Sequence, residues 1–330
     1  MEVIQTGSIN TIQVNCQNEE HVNCLSLLFY ELLIMKILLL GANGQLGIEL
    51  QKVLPKLGEM VTLTRNELDL SNLVALHQIL ELIRPNVIVN ASAYTAVDKA
   101  ETEKDLAMLI NANVPELLAK YSAENGALLV HYSTDYVFDG KKSTPYLESD
   151  LIYPISIYGS SKAKGEEFIS LNNCKHLIFR TSWLFSYYGQ NFFTKILNLA
   201  KEKEELFIVD DQWGTPTSCN WLADVTFKTL IHISKQSNSS NSNIWGIYNA
   251  TSAGVTNWFE YANLIFQTAY KFNHSADFLL RKINPVKSDE YKQAAERPKF
   301  SHLSTDKLTS TFPIISKNFE EYVFEEFKKL

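Results

Sequence analysis

A glycine turn set between a short apolar run and an amphipathic stretch constrains this chain more than any other feature. Ile37–Leu40 is followed by Gly41-Ala42-Asn43-Gly44-Gln45-Leu46-Gly47, and Gln45–Leu57 then carries apolar residues at helical spacing. Strand, glycine turn and helix in that order open a βαβ unit of the kind that binds a dinucleotide. Gly41 permits a tight turn, Gly44 lets the backbone approach a pyrophosphate without a Cβ in the way, and Gly47 lets the helix lie close on the sheet. The helix N-terminus then faces the phosphates.

The same rhythm continues. Val61–Thr64, Val87–Ala91, Leu128–Tyr132 and Leu177–Thr181 are short apolar runs, as expected of strands buried on both faces. Asn72–Ile83, Asp105–Glu124 and Gly159–Leu171 between them have helical period, with Ser71 as cap of the second helix and Pro85 in the turn after it. The pattern predicts an α/β fold, a Rossmann-type doubly wound parallel sheet, with a smaller C-terminal α/β substrate-binding lobe. Beyond about residue 185 the regularity fades: Asn191–Ala200 and Trp221–Ile233 read as helices, Phe207–Val209 and Ile247–Asn249 as strands. We expect a nucleotide-binding domain over 35–182, with returning segments around 215–250, and a mainly substrate-binding lobe over 183–330. The Ser/Asn run 236–243 is expected to be an exposed loop.

Charge and cysteine usage narrow the function. The 330 residues hold 30 Lys plus Arg against 37 Asp plus Glu, a net −7, which disfavours an electrostatic nucleic-acid binder. Cys16, Cys24, Cys174 and Cys219 show no CxxC or Cys/His pattern, so neither zinc nor a disulfide framework is indicated. Residues 1–34 contain no Lys or Arg and four Glu, unlike a secretory or organellar leader, so a cytoplasmic location is expected. Met35 reads as the natural first residue, with 1–34 a disordered or non-native extension; a partner-docking role for Leu25–Ile34 is the other reading. No run of about 18 apolar residues is present, so no membrane span is expected.

Cofactor choice is written at the end of the second strand, where Arg65 offers a charge-assisted contact to a 2′-phosphate and favours NADPH, with NADH possible because Glu67 lies close by. Asp69 and Leu70 border the adenine. Tyr158 and Lys162 stand one helical turn apart and can act on one substrate atom, the cation lowering the phenol's pKa. The third member is a hydroxyl at the end of a central strand; Thr134 is the first choice and Ser133 the second. His131 is expected to pack near the sheet, and Asp135 and Tyr136 to line a substrate pocket.

These residues resemble the extended short-chain dehydrogenase/reductases, and within them the branch that reduces dTDP-4-keto-6-deoxy sugars. Gly41–Gly47, Val89–Glu101, Ser133–Gly140, Tyr158–Glu166, Arg180–Phe185, Val209–Thr217 and Arg297–Ser301 carry the resemblance, which covers 35–330. It implies reduction of the C4 ketone of dTDP-6-deoxy-L-lyxo-4-hexulose to dTDP-L-rhamnose. Tyr158 would give the proton, Lys162 would tune it and hold ribose, and Thr134 would orient the carbonyl. Gly44, Gln45 and Leu46 would meet the cofactor phosphates, Ala93, Tyr94 and Thr95 the nicotinamide half, with Tyr132 beside them. Thr134, Asp135 and Trp183 would touch the sugar, and Arg297 its nucleotide end. Trp213, Asn191 and Gln212 are further candidates for the pocket, whereas Trp258 is expected in the core. Some members dimerise around Mg²⁺, for which Glu49 is a candidate ligand, so monomer and homodimer both stay open. Two rival readings share the motifs: an NAD-dependent sugar-nucleotide epimerase or dehydratase, and a non-catalytic subunit like the β subunit of methionine adenosyltransferase.

Overall fold

The computed structural model describes residues 35–172, 174–235 and 244–330. The expectations for residues 1–34 and 236–243 lie outside the described residues. The five expected core strands form as β1 (Lys36–Leu40), β2 (Glu59–Leu63), β3 (Val87–Asn90), β4 (Leu128–Thr134) and β5 (His176–Thr181). β6 (Glu205–Val209), β7 (Gly246–Asn249) and β8 (Lys282–Val286) follow. One six-stranded sheet runs in the order β7-β5-β4-β3-β1-β2, and every pair in it is parallel. β6 and β8 pair separately, also in parallel.

Strand alternation explains the layers. Ile37 and Leu39 of β1 point to one face, where they meet Leu46 and Leu50 of α1 (Gln45–Val53). Leu38 and Leu40 point to the other, against Leu76 and Leu80 of α2 (Leu73–Ile83) and Leu118 of α3 (Val114–Asn125). α4 (Ile157–Leu171) joins the second face through Ile169. The first face is completed by α6 (Cys219–Lys235), which follows α5 (Phe192–Glu202) in the chain. α7 (Trp258–Lys271) and α8 (Phe319–Phe327), which sequence reasoning did not find, extend the same core with Tyr261, Ile265, Tyr322 and Phe327.

Three local expectations change. α1 stops at Val53 because Pro55 draws Leu54–Lys56 into a 3₁₀ turn. Asn72, rather than Ser71, caps α2: its Oδ1 accepts from the Ala75 N–H at 3.0 Å, while the Ser71 N–H donates to Asp69. The stretch read as one helix over 105–124 is interrupted by a π turn at Leu109–Asn113. Pro115 has no N–H to bond the Asn111 carbonyl four residues back. That carbonyl packs instead on Gly165 of α4, where a Cβ would come within 2.2 Å of it.

Candidate active site

Strand order reverses around β1 and β3, and in such sheets ligands bind beyond the carboxyl ends of the strands at that point. Gly41 leaves β1 at φ +78°, and a Cβ there would meet the Ala91 carbonyl carbon at 2.8 Å. A Cβ on Gly47 would lie 2.2 Å from the Gly41 oxygen, so α1 sits hard against the turn. Gly44 caps α1 without a side-chain hydrogen bond, which leaves the first-turn amides of Gln45, Leu46 and Gly47 to an anion. From this turn a cavity of about 950 Å³ extends across the strand ends.

The cavity gathers most of the predicted site. Its wall includes Gly41, Gly44, Gln45, Leu46, Arg65, Asp69, Leu70, Ala93, Tyr94, Thr95, Tyr132, Thr134, Asp135, Tyr158, Lys162 and Trp183. Gly47 stands behind the wall as a packing residue. Arg65 is exposed at the rim, and the Glu67 carboxylate beside it accepts from both the Thr64 N–H and hydroxyl at 2.7 Å.

Ser156 begins α4 by accepting from the Gly159 N–H, and Gly159 packs on the Tyr136 carbonyl so closely that a Cβ would stand 2.2 Å away. This contact seats Tyr158 beside the end of β4. The Thr134 hydroxyl donates to Asp135 at 3.0 Å and accepts from the Tyr136 N–H. Burial pushes the Tyr158 phenol up to about 12, opposed by the Thr134 hydroxyl and reinforced by the Asp135 charge. The expected lowering by Lys162 is absent. The lysine is 2% exposed and aims its nitrogen at the Tyr132 carbonyl, 2.6 Å away, and at His131 Nε2 at 3.2 Å. Burial lowers Lys162 to about 8, with Glu166 working against the shift. Asp135 is 1% exposed, and desolvation raises its carboxyl to about 7 against the Ser301 and Thr134 hydroxyls, which favour the charged form. The Ser133 hydroxyl at the wall is also buried and unpaired.

Other candidates land elsewhere. Arg297 stands just behind the wall, beside the phenol of the wall residue Tyr136, its guanidinium paired with Asp98 at 2.7 Å and 3.2 Å. Glu49, the candidate Mg²⁺ ligand, is buried, one oxygen accepting from Lys52 at 2.8 Å and the other from Asn220 at 3.2 Å. No cluster of three metal-ligating side chains occurs among the described residues. Trp258 packs against the core as expected and also lines the cavity, stacked on Trp183 with centroids 3.5 Å apart. Trp183 itself takes φ +45°, a strained conformation for a bulky residue, held between Trp258 and Gly214. Trp213 and Gln212 are not part of the wall, and Asn191 caps α5 while donating to Gln45.

Two supports were not found from sequence. Asn111, in the π turn, accepts from the Tyr94 N–H at 2.8 Å and donates to the Tyr94 carbonyl and the Ser161 hydroxyl. It ties the 93–95 segment to α4. Asn90 and His131 join β3 to Lys162 through Asn90 Nδ2 and His131 Nδ1, 3.2 Å apart. The π turn had a sequence signal in Pro115; the Asn90–His131 contact had none, because cross-strand register decides it.

The family described as RmlD substrate binding domain matches residues 35–330. The chain belongs to that family. Within it, a dTDP-4-dehydrorhamnose reductase of Shigella flexneri is 41% identical over 285 residues, covering 85% of this chain and 93% of the relative. A crystal structure of dTDP-4-dehydrorhamnose reductase from Bacillus anthracis in complex with NADP matches with TM-score 0.80 and 36% identity, over 90% of this chain and 99% of that one. A dTDP-4-dehydrorhamnose reductase ortholog of Clostridium acetobutylicum gives TM-score 0.80 and 36% identity, over 89% and 99%. In this RmlD-family chain Thr134, Tyr158 and Lys162 line one cavity. No helix among the described residues is long and apolar enough to cross a membrane.

Proposed function

We propose that the chain is an NADPH-dependent dTDP-4-dehydrorhamnose reductase, which converts the C4 ketone of dTDP-6-deoxy-L-lyxo-4-hexulose to the alcohol of dTDP-L-rhamnose. One observation carries the reading: a single cavity joins the uncapped start of α1 to the Thr134–Tyr158–Lys162 group. The cradle fits a dinucleotide, since Gly41 and Gly47 leave no room for a Cβ and so hold the turn tight beneath the open start of α1. Gly44, Gln45 and Leu46 would hold the pyrophosphate, Arg65 the 2′-phosphate, Asp69 and Leu70 the adenosine, and Ala93–Thr95, Tyr132 and Lys162 the nicotinamide half. Bound there, the cofactor supplies hydride to the ketone carbon.

Tyr158 gives its proton to the ketone oxygen as the C–O π bond opens. A phenol near 12 keeps that proton at neutral pH, yet it is a far stronger acid than an alcohol, whose conjugate base is comparable to hydroxide (water ~15.7). Thr134 orients the carbonyl. Asp135, in the cavity wall, faces the sugar with its carboxyl, and the stacked Trp183 gives the ring a flat shelf. The test is NADPH consumption with the dTDP-4-keto-6-deoxyhexose, compared with Tyr158→Phe. Turnover in the wild type and its loss in the variant support the reading, and NADPH binding without turnover of any keto sugar would overturn it.

A further inference from the structure

Beside the proton donor lies a buried chain of polar groups whose hydrogen-bond count does not balance with a charged lysine. The Ser92 backbone N–H donates to Asn90 Oδ1 at 3.2 Å, and a backbone amide has no other role, so the Asn90 oxygen faces Ser92. The Asn90 NH₂ group therefore faces His131 Nδ1 at 3.2 Å, and that nitrogen is the acceptor. A neutral imidazole then carries its proton on Nε2, aimed at Lys162 Nζ 3.2 Å away. An ammonium at Lys162 would set donor against donor. Flipping the Asn90 amide or changing the imidazole tautomer only moves the clash along the chain. A neutral amine satisfies every contact: its lone pair accepts from His131, and one N–H donates to the Tyr132 carbonyl at 2.6 Å.

We infer that His131, held in its Nε2–H form by Asn90, is a positioning residue that keeps a lone pair on Lys162 in the free site, so that Lys162 gains a proton when NADPH binds. The inference rests on the cavity being the NADPH site. Burial works in the same direction, lowering both Lys162 and His131. The surroundings contain few opposing charges. On α4, Tyr158 is neutral and Glu166 is bound at 2.7 Å by Arg180 of β5. Beyond the end of β4 stands Asp135, with its raised carboxyl. Asn90 on β3 and Asn111 in the π turn carry no charge. The anionic phosphates entering this cavity favour the ammonium.

Calorimetry of NADPH binding in buffers of different ionisation enthalpy reads the proton directly, from about pH 7 to about pH 9. The wild type is expected to take up a growing fraction of one proton as pH rises through this range. Asn90→Asp, nearly isosteric, accepts from His131 Nδ1–H and reverses the chain's polarity, making Nε2 an acceptor for an ammonium. Uptake in that variant should move up by about one pH unit or more. NADPH binding without uptake in the wild type, or an unchanged profile in a folded Asn90→Asp protein, overturns the inference alone. Should Asn90→Asp not fold, Lys162→Met decides: loss of the uptake supports the inference and its persistence overturns it. No NADPH binding by the wild type, seen in cofactor fluorescence, would overturn the functional reading and this inference with it.

Discussion

At the scale of the residue, the site separates groups that carry chemistry from groups that set their charge. Tyr158→Phe removes only the transferable proton, so kcat should fall by about 10²–10⁴ while NADPH affinity, measured by fluorescence, stays near the wild-type value. Asp135 invites a pH experiment. Its carboxyl is neutral below about 7 and ionised above. As a neutral group it donates to a sugar oxygen, and as an anion it only accepts. KM for the sugar nucleotide should therefore change across pH 7 in the wild type and lie flat in Asp135→Asn. The stability sign is also determined. A carboxyl raised on folding holds its proton more tightly folded than unfolded, so stability is lost as pH rises from the unfolded value toward about 7. Thermal melts of Asp135→Asn should lack that decline. With the 2′-phosphate on Arg65 as proposed, Arg65→Ala should weaken NADPH by about tenfold and NADH much less; equal losses for both cofactors would make Arg65 a surface charge.

At the scale of the element, α4 is the part on which the chemistry depends, and it is fastened at both ends. Ser156 and the Gly159 contact fix its start, and a bidentate Arg180–Glu166 pair, each side chain 1% exposed, pins its far half to β5. Glu166→Gln leaves a guanidinium buried without its counter-charge. The expected loss is about 3–5 kcal/mol in urea unfolding, against little change for an exposed pair such as Lys164–Glu167. Helix α1 depends on distance instead. Gly47→Ala would drive a methyl into the Gly41 oxygen and lift the helix from the sheet, so NADPH binding and stability should fall together.

For the whole molecule, sequence reasoning reached the parallel sheet, the glycine cradle and the Thr134–Tyr158–Lys162 group, because each rests on local spacing: a strand's burial, a turn's glycines, two side chains one helical turn apart. It missed what register and tertiary contact decide. Asn111 reaches Tyr94 only through the fold around the π turn, and Asn90 meets His131 only because β3 and β4 pair in that register. The sheet's own order carries one more implication. β5 pairs with β7, so one edge of the sheet stays open until residue 249 has been made, and the core between α7 and α8 waits for the last turn of the chain. A nascent chain must therefore hold an apolar parallel edge unpaired from residue 181 to residue 249, the slow and aggregation-exposed way to fold. A message cut short anywhere before the C-terminal helix would yield not a weaker enzyme but a substrate for the cell's proteases.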